Sequence, residues 1–110
     1  MGQSKKKVFI ACDTTKISKV KEILRYSKTK QLNIGFKFGL EFLNSINGRK
    51  FIKSLKNKII FLDIKLNDIP NTMKNAVIAL SDLKPNYLTV HISSGFEALR
   101  TAKSISKNIK

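Results

Sequence analysis

One cysteine in 110 residues excludes an internal disulfide, and Cys12 has no His or Cys partner at metal-ligand spacing. Within the apolar run Val8 to Cys12 it reads as a small buried hydrophobe, not as a nucleophile. No apolar run approaches the roughly 20 residues of a membrane span. The run behind the basic start is also too short for the core of a secretory signal. Gly2 would suit N-myristoylation, but Lys6 stands where that motif asks for Ser or Thr. These absences make a cytoplasmic protein the expectation. No glycine-rich fingerprint follows the first apolar run, which argues against a dinucleotide-binding fold.

Acidic residues are also scarce, seven against 22 Lys and Arg, for a formal net charge of +15. Such an excess suits nucleic acid or an acidic membrane surface. Its distribution argues otherwise: lysines are scattered over nearly every segment, arginine occurs only at Arg25, Arg49 and Arg100, and aromatics do not interleave a basic patch. Nucleic acid is therefore not the expected partner. A positive field would still draw in a small phosphorylated substrate. The length allows one domain, and 42% hydrophobic residues suffice for a small core.

Strand and helix patterns alternate along the chain. Lys7 to Asp13 reads as a strand buried on both faces. Thr14 or Thr15 can cap the next helix, in which Ile17, Val20, Leu24 and Ser27 recur at helical spacing to about Thr29. A second strand runs from about Asn33 to Phe38, with Ile34, Phe36 and Phe38 on one face and Lys37 on the other. Leu40 to Ile46 is helical, Asn47-Gly48 is a turn, and Arg49 to Lys56 is a further short helix. The third strand, Ile59 to Ile64, is followed by a helix from Asn71 to near Asp82. Tyr87 to His91 is a fourth strand, and a last helix spans Phe96 to about Lys107. Ser93 to Gly95 before it could cap that helix or form an anion nest.

Each strand is followed by a helix, which implies a parallel sheet with right-handed crossovers. Four such units are half of a (βα)₈ TIM-type barrel of ~250 residues. Asp13, Lys37, Asp63 with Lys65, and His91 all fall at or near carboxyl ends of strands, the face on which such barrels place their chemistry. The densest cluster is Phe61 to Thr72. Asp63 and Lys65 are two apart, so on a strand they share a face, opposite Leu62 and Ile64. Asp68 follows three residues on. Lysines and carboxylates in one cleft suit a reaction through a carbanion: an ammonium stabilises the developing charge and delivers a proton, while carboxylates keep it charged and oriented. A structural ion-pair cluster is the alternative. His91 reads as structural.

Asp63-Ile64-Lys65-Leu66-Asn67-Asp68-Ile69-Pro70-Asn71-Thr72 resembles the D-x-K-x-x-D-I-P-N-T signature of orotidine-5'-phosphate decarboxylases. The resemblance extends to Ala11-Cys12-Asp13, Gly35-Phe36-Lys37-Phe38-Gly39 and Thr89-Val90-His91-Ile92-Ser93-Ser94-Gly95, in order over nearly the whole chain. It implies decarboxylation of orotidine monophosphate to uridine monophosphate without a cofactor or metal. It also implies roles: Lys65 as proton donor to C6, Asp63 beside the substrate carboxylate, Lys37 completing the charged array and contacting the ribose, and Asp13 on a ribose hydroxyl. Asp68, Ile69 and Thr72 match the part that reaches the neighbouring subunit's site, so a homodimer is implied.

Residues 1–110 correspond to the first four βα units of the family's barrel. The family's phosphate-gripping Arg, a Gln and a mobile loop lie in the other half. The expectation is a truncated enzyme, inactive alone because remote binding energy supports the transition state. The alternative is a non-catalytic remnant, or one part of a split enzyme that joins a separate C-terminal half through open sheet edges.

Overall fold

The computed structural model describes residues 5–110. Gly2, and with it the myristoylation reading, lies outside them. The elements follow the alternation expected: β1 (Lys7–Ala11), α1 (Ile17–Tyr26), β2 (Asn33–Gly39), α2 (Leu40–Leu43), α3 (Gly48–Ser54), β3 (Ile59–Leu66), α4 (Pro70–Leu80), β4 (Tyr87–Val90) and α5 (Phe96–Ile105). Single 3₁₀ turns at Ser81–Leu83 and Ile92–Ser94 flank β4.

The four strands are parallel and lie in sequential order β1-β2-β3-β4. A doubly wound sheet reverses its strand order at a switch point, whereas a barrel wall does not. Phe36 and Phe38 of β2 and Ile60 and Leu62 of β3 are buried with Val20, Phe42, Ile52 and Leu83 in the main core, and the half-buried Ile10 of β1 packs against them. Phe38 and Phe42 are fully buried with ring centroids 5.1 Å apart. Each such side chain contributes roughly 1.5–3 kcal/mol by leaving water. A second cluster, Met73, Val77, Ala98 and Ala102, joins α4 to α5.

Odd-numbered residues face away from this core. Low on the sheet they form an aromatic trio: the Phe9 ring stands 5.4 Å from Phe61 and 5.2 Å from Tyr87, edge to face in both cases. Phe9 also lies across Gly35, where an added Cβ would come within 2.6 Å of the ring. Lys7 Nζ donates to the Tyr87 hydroxyl at 2.6 Å. Higher on the same face stand Lys37, Asp63 and Thr89. The overall extents of 43 × 40 × 22 Å leave room in the thin direction for the sheet and one helix layer of ~10–12 Å.

Asn86 ties the base of β4 on both sides. Its N–H donates to Ile60 O at 2.8 Å and its Oδ1 accepts the Ile60 N–H at 2.9 Å. On the far side Lys110 N–H donates to Asn86 O while Lys110 O accepts from Leu88 N–H, both at 2.9 Å. That exchange is the parallel-strand pattern and sets Lys110 beside Tyr87.

Several boundaries differ from expectation for identifiable reasons. β1 stops at Ala11 and is not buried on both faces: Val8 is 41% exposed and Ala11 is exposed, while Cys12 is fully buried. Ala11 lies on the face without a described helix layer, and Val8, on the helix side, lies on an edge strand with a neighbour on one side only. Neither Thr14 nor Thr15 caps α1; Lys16 holds the cap position, and the Thr14 hydroxyl accepts the Lys16 N–H at 3.1 Å in a local turn. α1 ends at Tyr26, where the Ser27 hydroxyl takes the Leu24 carbonyl that a continuing helix would use. Pro70, with no N–H to lose, opens α4 one residue before Asn71. At α5 the cap position belongs to Gly95, with φ +91° and no side-chain cap, so the serines before it do not cap that helix. They fold back on His91, whose Nδ1 accepts the Ser93 N–H at 3.1 Å.

Candidate active site

The charged group forms where β2 and β3 end. In their register Lys37 lies opposite Phe61 and Gly39 opposite Asp63, so Lys37 and Asp63 sit diagonally on one face. Lys37 Nζ lies 3.4 Å from Asp63 Oδ2, and Lys65 Nζ lies 2.8 Å from Asp63 Oδ1. The Asp63 side chain is only 16% exposed, against 30% for Lys37 and 63% for Lys65. One shielded carboxylate thus holds two lysines, one on each oxygen.

The path of β3 here is not a regular strand. Leu62 pairs with Leu88 and Leu66 with Val90, so residues 63–65 stand opposite Thr89 alone. Within this bulge Lys65 has φ +48°, a left-handed conformation that is uncommon outside Gly, Asn and Asp. Its N–H finds no backbone acceptor on β4 and donates instead to Thr89 Oγ1 at 2.9 Å. The same hydroxyl donates to Asp63 Oδ1 at 2.9 Å. Beyond the bulge, main-chain contact resumes with His91 N–H donating to Leu66 O at 2.8 Å. The hydrogen bond from Lys65, opposed by burial and helped by Thr89 and Lys37, holds the Asp63 carboxyl below its ordinary range.

The other sequence candidates stand apart from this group. Asp13 emerges at the same end of the sheet, because Cys12 N–H donates to Lys37 O at 2.8 Å, but it is exposed and pairs with neither lysine among the described residues. Asp68 lies in the β3–α4 loop, where its Oδ1 accepts the N–H of Ile69 at 2.7 Å. Ile69 is 64% exposed, and Thr72 is exposed in the first turn of α4. His91 orders the turn after β4 through Ser93. Thr89, which residue type alone does not single out, joins the group. Its parity with Tyr87, on a strand beside the charged end of β3, is the signal that points to it.

Among the described residues no group of three or more His, Cys, Asp and Glu is placed to hold a metal ion. Nor is any described helix long and apolar enough to cross a membrane.

Residues 6–109 match the model of the orotidine 5'-phosphate decarboxylase / HUMPS family. The chain is 41% identical over 102 residues to the orotidine 5'-phosphate decarboxylase of Prochlorococcus marinus (strain MIT 9515), covering 91% of this chain and 41% of that protein. It is 42% identical over 101 residues to that of Fusobacterium nucleatum, covering 90% of this chain and again 41% of the relative. The crystal structure of orotidine 5'-phosphate decarboxylase from Lactobacillus acidophilus superposes with a TM-score of 0.75 at 32% identity, covering 89% of this chain and 44% of that one. The chain therefore spans about two fifths of the length of these relatives.

Proposed function

The chain belongs to the orotidine 5'-phosphate decarboxylase / HUMPS family, and on that premise we propose that it supplies the charged part of a site that converts orotidine monophosphate to uridine monophosphate. Its sheet is the N-terminal half of a (βα)₈ barrel. The observation that carries the reading is the clasp of Asp63 by Lys65 and Lys37 on the face turned away from the helices.

In the proposed reaction the bond from C6 to the carboxylate breaks and its electron pair stays on C6. The Lys65 ammonium stabilises that charge and then transfers a proton to C6, becoming a neutral amine. Asp63, kept ionised by its partners, stands beside the substrate carboxylate, so that departure of carbon dioxide relieves a clash of like charges. Lys37 balances Asp63 and contacts the ribose, and Asp13 takes a ribose hydroxyl. Residues 1–110 act as one partial-barrel domain. Asp68, Ile69 and Thr72 reach the site of a second subunit in a homodimer, a role that suits the exposure of all three. No cofactor is assigned a step.

A second reading is half of an enzyme assembled from two polypeptides. It draws on the sheet face that carries Phe9, Phe61 and Tyr87, which no described helix covers. One experiment separates the readings. The purified chain is given orotidine monophosphate alone, and again after mixing with the segment of the Prochlorococcus relative that lies beyond the match. We expect uridine monophosphate only from the mixture, with a loss of about 10²-fold or more on Lys65→Ala. Turnover by the chain alone would overturn the need for a second half, and turnover insensitive to Lys65→Ala would overturn the assigned chemistry.

A further inference from the structure

Lys65 presents a mechanical problem. Its side chain is 63% exposed and ends in a flexible stem, while its backbone adopts φ +48° inside a bulge. Neither property by itself defines where the ammonium rests. Two contacts do: the main-chain N–H at the root of the side chain, and the Asp63 carboxylate at its tip. Both run through one hydroxyl on the neighbouring strand, Thr89, which accepts from the Lys65 N–H and donates to Asp63 Oδ1, each at 2.9 Å.

We propose that Thr89 is a positioning residue, whose hydroxyl locks the Lys65 backbone and the Asp63 carboxylate into one geometry and so fixes the direction from which the Lys65 ammonium meets a substrate. A hydroxyl is suited to the task because it donates and accepts at once. A Val of the same shape and strand preference would leave the Lys65 N–H without this acceptor and would remove one of the two hydrogen bonds that Asp63 Oδ1 accepts, leaving that from Lys65 Nζ. The location agrees: Thr89 is the one residue of β4 opposite the three-residue bulge, so a side chain there replaces the missing ladder bond. The same bond to Asp63 helps keep that carboxyl ionised, second among the favourable contacts after Lys65.

The catalytic consequence rests on the roles proposed above for Lys65 and Asp63, but the geometric one does not, and the test keeps them apart. Thr89→Val and Thr89→Ser are made in this chain, and the Asp63 carboxyl is titrated by carbon-13 NMR while exchange of the Lys65 amide is followed in deuterium oxide. For Thr89→Val we expect a higher Asp63 midpoint and amide exchange faster by at least about fivefold, the effect of losing one ordinary net hydrogen bond. Thr89→Ser, which keeps the oxygen, restores both. If the Val chain does not fold, Thr89→Ala serves the same comparison.

An unchanged midpoint and unchanged exchange in Thr89→Val, or a Ser variant that behaves like Val, overturns the proposal. With the relative's segment added, Thr89→Val should lower kcat about tenfold with little change in KM, as expected when only the reacting geometry is lost. Failure of the unsubstituted mixture to form uridine monophosphate, with the two NMR effects intact, overturns the decarboxylase reading and upholds the locking role of Thr89.

Discussion

Lys65 donates to Asp63 at 2.8 Å from two residues further along the same strand, and it does so from a backbone turned left-handed. Alternation alone would bring these side chains to one face. The bulge adds that they meet at the very end of the sheet, where Lys37 can reach the second oxygen of the same carboxylate.

Stability should depend on Asp63 in a defined pH window. Its carboxyl titrates below the ordinary value of about 3.9. On acidification the unfolded chain therefore takes up this proton first. The stabilisation is complete above about pH 4 and is lost as pH falls through the native midpoint. Urea midpoints of the unsubstituted chain and of Asp63→Asn should differ by the equivalent of about 1–2 kcal/mol at neutral pH. That gap should narrow only below about pH 4; a constant gap down to the acid limit would contradict the assignment.

Gly35 tests the aromatic trio. A methyl at this position meets the Phe9 ring at 2.6 Å and Ile59 Cγ2 at 3.1 Å. Gly35→Ala should destabilise by about 1–3 kcal/mol, the usual effect of overpacking. Shortening the ring in Gly35→Ala/Phe9→Leu should recover part of the loss, giving a coupling that a denaturant-based double-mutant cycle measures. Simple additivity would show that the two residues do not compete for this space.

Arg49 holds Asp82 through two hydrogen bonds, of 3.0 and 2.6 Å, with Lys53 also 3.3 Å from the carboxylate. Chiefly through the Arg49 bond, the Asp82 carboxyl falls to about 2. Arg49→Ala should raise that midpoint toward about 3.9, read by carboxyl NMR. The sign matches Asp63: whatever stability the contact gives is present above about pH 4 and disappears as pH falls toward 2.

Cys12 should resist alkylation. It is fully buried, and burial first, with Asp13 second, pushes its thiol up to about 11. At pH 8 the thiolate is scarce and unreachable, so iodoacetamide should react about 10²-fold or more slowly with the folded chain than with the same chain in denaturant. Equal rates would show that the first strand opens readily.

The repeating strand-helix order was legible because hydrophobic spacing changes period at each boundary. For the same reason Lys37, Asp63 and Lys65 could be set on one face from the residues alone. The left-handed turn at Lys65 could not: positive φ is ordinarily signalled by Gly or Asn, and a lysine between Ile64 and Leu66 reads as unbroken strand. Nor does residue type mark Thr89, whose bonds to Lys65 and Asp63 arise from an irregularity in the strand beside it. By residue type Thr14, Ser93 and Ser94 suit helix caps. Their bonds go to nearby turn groups instead, a local competition that composition does not resolve.

With no tryptophan and only two tyrosines, the chain is optically sparse. Tyr26 is 76% exposed, whereas Tyr87 lies among the aromatic rings with its hydroxyl taken by Lys7. The tyrosine band in the near-ultraviolet dichroism of the folded chain therefore comes largely from one phenol, on a sheet face that no described helix covers. Anything that settles over that face must change the signal of Tyr87, so the arrival of the rest of a barrel can be followed as it happens, without a dye, a tag or a turnover assay.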